Sequence, residues 1–323
     1  MSLVDMKVFN ANLMEATAET LGQQVEKFNG ASNGAIVLTS MNFEGDFFQR
    51  SFYAALHSAQ RRVDRYAAQS SAAATALSQL QENSVKVAGG FGPISFEPGQ
   101  MSWIQKNEAE AIAVISGQLA EAIIKDQLNS SVAAAVAAIA NQGAATVNDV
   151  SASAAISYTA LNTAHALFGD SSMDLVAQVM DGSTYHRLIG DNLANTPQLF
   201  QAQNVLVVDI LGKPVIVTDA PALYEAGTPN KNKVLSLASS GVTVMDGSDV
   251  ITNIDTSNGQ SRIETTMQAD YTFGLGVKGY AWDITNGGKS PSDAALATGT
   301  NWDLVASNIK HTAGVLTVGS ADA

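Results

Sequence analysis

The stretch VLVVDILGKPVIVTDAP, Val205–Pro221, predicts two β-strands joined by a tight turn. β-Formers dominate two runs, Val205–Ile210 and Pro214–Thr218, and such residues favour extended backbone. Gly212 and Lys213 lie between the runs, and glycine readily adopts the backbone angles of a tight turn. The sequence therefore predicts a β-hairpin that turns at Gly212 and Lys213.

The overall composition argues for a folded, acidic protein. The chain has 323 residues, of which 46% are apolar, with 17 basic and 30 acidic residues and a net charge of −13. Such a charge repels nucleic acid and anionic membranes, whereas a sequence-reading DNA-binding protein carries a basic face. Between Lys125 and Arg187 there is no Lys or Arg at all. That middle region is therefore not expected to bind phosphates by ion pairing.

The absence of cysteine excludes several kinds of chemistry. With no cysteine, the chain has no disulfide, thiolate nucleophile or iron–sulfur cluster, and most structural zinc sites are excluded. Its first residues, MSLVDMKVFNANLMEATAETLG, lack the basic start and apolar core of a secretory signal, and no apolar run approaches the ~18 residues of a membrane span. We expect a protein made in the cytoplasm that does not bind a membrane.

Apolar periodicity and helix-forming composition predict several helices in the first half of the chain. The predicted helices are 12–29, with Asn12 as its cap and Gly30 just past its end; Phe47–Gln81; Asn107–Leu128; and a shorter alanine-rich helix that ends at Gly143.

Strand-like and mixed segments accompany these helices. Residues Asn83–Met101 predict two short strands joined by a flexible connection at Gly89, Gly90 and Gly92. From about residue 150 the pattern is mixed, and it predicts a helix over Tyr158–Phe168, a strand over Leu175–Met180 and a helix over Ser183–Ile189. The predicted fold class is α+β.

Four arginines, Arg50, Arg61, Arg62 and Arg65, hold most of the positive charge in the first part of the chain. Two interpretations stay open: a solvated helix face, or a contact surface for an acidic neighbour.

No catalytic, cofactor-binding or metal-binding constellation is predicted. The four histidines are scattered without metal-ligand spacing, and no serine lies in a nucleophile motif. Gly274-Leu-Gly276-Val-Lys-Gly279 matches GxGxxG, but the following residues YAWDI are strand-like rather than helical. We therefore interpret these glycines as part of a bent strand pair. The protein is not expected to be an enzyme.

Three motifs in order resemble the major capsid proteins of tailed bacteriophages. ILGKPVIVTDAP is similar to a G-(R/K)-P-V-x-V-(T/S)-D-x-x-P hairpin of that family. Upstream, ALFGDSSMDLVAQVMDGSTYHRLI resembles its helix, GD turn, strand and following helix, and KSPSDAALATGTNWDLVASNIKHTAGVLTV resembles a segment near its C-terminus. The resemblance covers about residues 150–323. Position 181 is Asp where many relatives have His, and the first 100 residues match no motif.

The resemblance implies the HK-ninety-seven-type capsid fold, with an N-terminal arm, an extended E-loop, a peripheral domain built on a long spine helix, and an axial domain. The segments expected on this basis are 1–39 for the N-terminal arm, 40–100 for the E-loop with a flanking helix, 101–148 for the peripheral domain with the spine helix, 149–257 for the axial domain, 258–285 for return strands, and 286–323 for a C-terminal segment.

The resemblance also implies a function. The expected role is that of a structural subunit that assembles, as hexamers and pentamers, into the icosahedral shell around the double-stranded DNA genome of a tailed phage, without sequence-specific DNA binding. Portal, scaffolding and decoration proteins are the expected partners, and the virion is the expected location. Arg50, Arg61, Arg62 and Arg65 would contact acidic residues of neighbouring subunits. Gly89, Gly90 and Gly92 would be a hinge of the E-loop.

Two alternatives stay open from the sequence. An encapsulin-type nanocompartment would share the fold but enclose protein cargo. A flagellin-like or surface-layer filament subunit would also be acidic and free of cysteine, although such proteins usually carry long heptads at both ends of the chain.

Overall fold

The computed structural model of the chain mixes helices and sheets, which confirms the predicted α+β class. The residues that it describes are 3–39, 45–53, 61–68, 71, 74, 79–96, 108–195, 209–210, 212–246, 250–257 and 264–323.

Two long helices and two sheets make up most of the described chain. The α-helices are α1 (Leu3–Ala31), α2 (Glu108–Ala140), α3 (Tyr158–Ala166), α4 (Gly182–Asn195), α5 (Ile284–Gly287) and α6 (Asp293–Leu296). Short 3-10 helices cover Gly143–Ala145, Gly169–Asp174, Pro221–Leu223, Gly299–Asn301 and Ile309–His311. The strands are β1 (Ile36–Thr39), β2 (Phe47–Tyr53), β3 (Gln79–Phe96), β4 (Val147–Asp149), β5 (Leu175–Met180), β6 (Asp209–Ile210), β7 (Lys213–Val217), β8 (Tyr224–Glu225), β9 (Lys231–Ala238), β10 (Val242–Asp246), β11 (Ile251–Ser257), β12 (Glu264–Val277), β13 (Tyr280–Trp282), β14 (Trp302–Leu304) and β15 (Gly314–Ser320).

The strands form two sheets and one ribbon. Sheet A has six strands in the order β1-β10-β12-β3-β2, with β11 also paired to β12. Sheet B has seven strands in the order β4-β15-β9-β5-β7-β6, with β8 paired to β9. β13 and β14 form a separate two-stranded ribbon.

Helices cover each sheet through buried apolar side chains. Leu13 of α1 and Leu119 of α2 share a buried cluster with Met267 of sheet A. A second cluster packs α3 and α4 against sheet B. The largest cluster joins Ile139 of α2 to Leu235 of sheet B and to sheet A, so α2 connects the two sheets.

Helix α2 is continuous where the sequence predicts two helices. The polar residues Asn129, Ser130 and Ser131 do not interrupt it. The Ser131 hydroxyl donates to the Gln127 carbonyl, one helical turn earlier, at 2.6 Å, so this side chain is satisfied within the helix. The alanines that follow are buried and allow neighbouring elements to approach closely.

Helix α1 is longer than predicted. It spans Leu3–Ala31, so Asn12 and Gly30 lie inside the helix and are not its cap and its end. The chain turns just after it, where Asn33 and Gly34 have φ of 51° and 71°.

The helix predicted over Phe47–Gln81 is wrong in the described residues. Phe47–Tyr53 is strand β2, residues 61–68 are irregular, and β3 begins at Gln79. The physical reason lies in the aromatic residues of FFQRSFY, which prefer strands and pair with β3.

Strand β3 is likewise one strand rather than two. It pairs with β12 from Val85 to Phe96, straight through Gly89 and Gly90, with one register shift near Gly92. Gly92 has a φ of 106°, a conformation that suits glycine. At Gly89 the reason for glycine is close approach, because an added Cβ would lie 2.5 Å from the Tyr271 ring.

The GKPVIVTD motif holds β7 between its neighbours. β7 pairs with β6 across the turn at Gly212, whose φ is 73°; residues 205–208 of the predicted first strand lie outside the described part. The Lys213 ammonium donates to the Ser172 carbonyl at 3.3 Å and also to the Leu175 carbonyl. The Asp219 carboxylate accepts from the Gly182 backbone N–H at 3.3 Å. The motif therefore binds β7 to β5 and to the start of α4.

The segment around β5 follows its prediction. β5 spans Leu175–Met180 as predicted, and α3 begins at Tyr158 because the Ser157 hydroxyl accepts from the Ala160 N–H at 3.3 Å. α4 extends to Asn195, further than predicted. Asp181 caps α4, since its carboxylate accepts from the Thr184 N–H at 3.4 Å and from the Ser183 hydroxyl.

The NW motif of the C-terminal segment is part of the core. The rings of Trp282 and Trp302 meet edge to face with their centroids 4.9 Å apart, and both are buried. Each indole N–H donates to a backbone carbonyl, of Gly288 at 2.9 Å and of Leu296 at 3.0 Å.

The predicted segment boundaries do not coincide with the division of strands between the sheets. β10 and β11 fall within the segment 149–257, yet both pair with β12 in sheet A. β15, in the segment 286–323, lies between β4 and β9 in sheet B. β10 and β15 pair with strands that are distant in sequence, and local sequence patterns do not reveal such pairing. The segment 258–285, expected to contain return strands, holds β12, described from Glu264 to Val277, and β13.

The GxGxxG match is a strand and a turn. Gly274 and Gly276 lie within β12, and Gly279, with a φ of 81°, links β12 to β13. Because no helix follows these glycines, the geometry of a dinucleotide site is not formed there.

Replacing Gly89 by alanine is expected to lower the free energy of unfolding by about 1–3 kcal/mol, because the new methyl group displaces the Tyr271 ring. Urea unfolding of the purified chain, followed by circular dichroism, measures the change. Gly117→Ala is the matched control: nothing lies within 4 Å of its Cβ position in helix α2, so stability should rise by about 1 kcal/mol. Equal stability of Gly89→Ala and the wild type would contradict the close-approach argument.

A second expectation concerns pH. His165 lies on α3 and is buried against sheet B, 3.0 Å from the Ser236 hydroxyl, and burial lowers its pKa to about 4. The unfolded chain binds a proton near pH 6.5 while the folded chain stays neutral, so folding stability should fall as the pH drops from about 6.5 to about 4. Thermal melts of His165→Gln should lose that part of the slope. The exposed His311→Gln should retain it, and an unchanged slope in His165→Gln would contradict the assignment.

Candidate functional site

A hairpin anchored in sheet A presents the most exposed segment of the described chain. The first part of β3 pairs with β2, from Gln79 opposite Tyr53 to Val85 opposite Phe47. From Val85 onward the other edge of β3 pairs with β12. We call β2, the paired part of β3 and the connection 54–78 the arm hairpin. Its base is therefore continuous with sheet A.

The longest described run of the connection, residues 61–68, is exposed throughout. We call it the arm tip. Its sequence RRVDRYAA contains Arg61, Arg62 and Arg65 but one aspartate, so it is basic. Val63 is 66% exposed and Tyr66 is 93% exposed. Within the described residues none of these arginines has an ion-pair partner, so the arm tip offers both charge and apolar surface.

The four predicted contact arginines fall into two places. Arg61, Arg62 and Arg65 lie together in the arm tip, whereas Arg50 lies in β2, at the register position opposite Glu82. None of the four lies on a helix, so the helix-face interpretation is replaced by an extended segment. Their role as subunit contacts stays a prediction.

The predicted hinge glycines lie in sheet A, beyond the base of the arm hairpin. Gly89 faces Tyr271 and Gly90 faces Asp270 across the β3–β12 pair. Gly92 marks the register shift of that pair. Their role as a hinge stays a prediction, as does any role of the Gly212 and Lys213 turn beyond the contacts described above.

A cleft between α2, α6 and the 3-10 helix Pro221–Leu223 is the second notable surface. We call it the aspartate cleft, and its volume is 440 Å³. The lining residues are Asp126, Asn129, Ser130, Ala133, Pro221, Ala222, Asp293, Ala294, Leu296 and Ala297. Two carboxylates and no basic side chain are among these residues, so the cleft is negatively charged with apolar walls.

One carboxylate of the aspartate cleft is half-buried. The Tyr271 hydroxyl donates to Asp126 Oδ2 at 2.6 Å, across 145 residues of sequence. Burial raises the pKa of Asp126, the bond from Tyr271 opposes that rise, and the nearby charge of Asp293 adds to it. Burial and the same bond raise the pKa of the Tyr271 hydroxyl, which therefore stays protonated as the donor.

An aromatic stack connects the aspartate cleft to the strand of the arm hairpin. The Tyr271 ring lies 5.4 Å from Phe91 of β3 and 6.3 Å from Phe273, with interplanar angles of 24° and 13°. Tyr271 thus contacts β3 with its ring and α2 with its hydroxyl. Sequence analysis missed this constellation, because neither a motif nor a short spacing links its members.

Another surface, beside β4 and β8, carries charges that are already paired. Its cleft has a volume of 620 Å³. Lys233 lies 2.8 Å from Glu225, and Lys231 lies 3.8 Å from Asp149. This surface therefore differs from the arm tip and the aspartate cleft, whose charges lack opposite partners in the described chain.

The described residues contain no group of three metal-ligating side chains that could hold a metal ion. In the same part of the chain, no helix has both the length and the apolar character of a membrane span.

Comparison with solved structures supports the fold. The chain is similar to the Cyanophage Pam1 capsid asymmetric unit, with a TM-score of 0.52, 11% identity and 88% of each chain covered. It is also similar to a chain of Microbacterium phage Oxtober96, with a TM-score of 0.51, 12% identity and 90% of each chain covered. At this identity the likeness shows the fold alone, and it confirms the HK-ninety-seven-type capsid fold implied by the motifs.

Sequence comparison identifies the family. No curated protein sequence matches the chain. The family model of the Gp13-like proteins, described as major capsid protein 13-like, matches residues 5–316. This match covers nearly the whole chain, including the first 100 residues in which no motif was recognised, and it does not support the nanocompartment or filament alternatives. A capsid protein of this kind has a structural role, forms a multimeric shell and is located in the virion. The chain belongs to the Gp13-like major capsid protein family and is a subunit of a phage capsid shell.

Proposed function

We propose that this subunit assembles, as hexamers and pentamers, into the closed icosahedral head of a tailed phage around double-stranded DNA. The observation that carries the proposal is the arm hairpin, whose exposed tip offers arginines and apolar side chains without partners in the described chain. A segment laid over a neighbour buries surface that a compact body cannot offer. Repeated around a ring, such a contact closes a symmetric assembly.

The charge of the chain supports the enclosure of DNA without tight binding. The net charge is −13, and Lys231, Lys233 and Lys310 are each within salt-bridge distance of an acidic residue of the same chain. A shell wall with a net negative charge holds phosphates weakly, which suits a genome that has to enter and leave. Portal, scaffolding and decoration proteins are the further partners in this proposal, and synthesis takes place in the host cytoplasm.

The family's domain names are assigned as part of the same proposal. The arm hairpin corresponds to the E-loop, and α2 corresponds to the spine helix. Sheet A with α1 and α2 corresponds to the N-terminal arm and the peripheral domain, whereas sheet B with α3 and α4 corresponds to the axial domain. On this assignment β10 and β11 belong to the peripheral domain and β15 to the axial domain, because each follows the sheet in which it pairs.

The arginines and glycines have separate roles in this proposal. Arg61, Arg62 and Arg65 bind acidic residues of neighbouring subunits, and Arg50 supports the same contact from the base of the arm hairpin. Gly89, Gly90 and Gly92 permit β3 to bend as the arm hairpin adjusts to a neighbour, since glycine adds no side chain at the crowded positions opposite β12.

Negative-stain electron microscopy of the purified chain, with light scattering on the same sample, tests the assembly. Closed polyhedral particles of uniform size, or regular hexamers and pentamers, are expected. Filaments, or particles that contain protein cargo and no DNA after assembly in the host, would contradict the proposal.

Reversing the charge of the arm tip in the double variant Arg61→Glu with Arg62→Glu should abolish assembly while the circular dichroism spectrum of the subunit stays unchanged, because both side chains are exposed. The double variant Arg61→Lys with Arg62→Lys keeps the charge and should retain most assembly. Particle yield by sedimentation measures both. Normal particles from the charge-reversed variant would show that these arginines are not subunit contacts.

A further inference from the structure

We infer that the aspartate cleft binds an arginine of the arm tip of a neighbouring copy of this chain. The inference rests on the proposed function, and it names the surface that receives the arm hairpin. It places an arginine from residues 61–65 of one subunit between α2 and α6 of the next.

The electrostatics of the aspartate cleft favour a cation from another chain. Asp126 and Asp293 carry like charges, and the charge of Asp293 disfavours the ionised form of Asp126. Burial adds to the unfavourable energy of the Asp126 charge. No basic residue lines the cleft in the described chain, so a cation that entered would stabilise both carboxylates at once.

The shape and lining of the cleft suit an arginine side chain. Ala133, Pro221 and Ala222 offer apolar surface for the methylene groups of such a side chain. The carboxylates of Asp126 and Asp293 accept from the guanidinium group, which presents five N–H donors in a planar fork. Asp126 Oδ2 already accepts from Tyr271, so the carboxylate is held in place before the arginine arrives.

The arm tip is the best matched cation source among the described residues. Lysines at 231, 233, 289 and 310 already lie within salt-bridge distance of carboxylates of their own chain. The arm tip instead carries three arginines within five residues, all exposed. Val63 and Tyr66 beside them add apolar surface that can cover the rim of the cleft at Pro221 and Ala297.

Site-directed crosslinking tests the contact directly, because the chain contains no cysteine of its own. One set of subunits carries Asp293→Cys, and a second set carries Arg61→Cys, Arg62→Cys or Arg65→Cys. The two sets are mixed, assembled and treated with a short bismaleimide crosslinker. We expect a crosslinked dimer on denaturing gels from assembled particles and none from dispersed subunits. The matched control pairs the same arm variants with Asp255→Cys, which is exposed on β11 outside the cleft.

Three outcomes of the crosslinking would overturn the inference. These are particles without a dimer from the Asp293→Cys pairs, an equal or stronger dimer with Asp255→Cys, and crosslinking within one chain when both cysteines are placed in the same subunit. In each case the wild-type chain would still form particles seen by electron microscopy, so the proposed function would stand. Failure of the wild-type chain to form particles would overturn both.

Neutral variants separate docking from folding. Asp126→Asn keeps an oxygen that can accept from Tyr271 but removes the half-buried charge, so stability of the free subunit should be unchanged or higher. Assembly should instead weaken about tenfold, because an arginine at the interface loses its charged partner. Asp293→Asn should act in the same direction, and Asp255→Asn should leave assembly unchanged. Wild-type assembly in both cleft variants would overturn the inference.

Discussion

The backbone hydrogen bonds on the two edges of β3 hold the arm hairpin to the body of the protein. One edge pairs with β2 in the arm hairpin and the other with β12 in sheet A, and the two pairings meet at Val85. Tyr271 fits against Gly89 of the same strand and reaches Asp126 of α2 through its hydroxyl. Strand pairing therefore connects the arm hairpin to sheet A, and Tyr271 connects sheet A to α2.

The distribution of charge follows from the same arrangement. Four lysines outside the arm hairpin are near carboxylates of their own chain, as at Lys233 and Glu225. The arm tip carries positive charge and the aspartate cleft carries negative charge. Neither has a partner of opposite charge in the described chain. A subunit that satisfied all its charges internally would gain little from a neighbour. Unpaired charges that differ in sign favour association, and many such contacts sum to a stable shell while each stays reversible.

Local signals predicted the elements whose stability is local. β5 and the hairpin at Gly212 follow from β-branched runs, and α2 follows from its apolar stripe. The helix predicted over Phe47–Gln81 is wrong in the described residues, because the prediction gave more weight to helix-forming composition than to the aromatic residues of β2. The break predicted within α2 is also wrong, because the Ser131 hydroxyl donates to the Gln127 carbonyl within the helix. Over Phe47–Tyr53 the pairing partner β3, which a short window does not contain, decided the outcome.

The sequence by itself determined the α+β class, the acidic and cysteine-free chemistry, and the motifs that led to the capsid family. The tertiary structure alone decided which strands share a sheet, since β10 and β15 pair with strands distant in sequence. It also decided that Asp126 and Asp293 line one cleft, and that Asp126 accepts from Tyr271, which is 145 residues away. The physical reason is that periodicity and turn chemistry act over a few residues, whereas sheet pairing and charge clustering depend on how the whole chain folds.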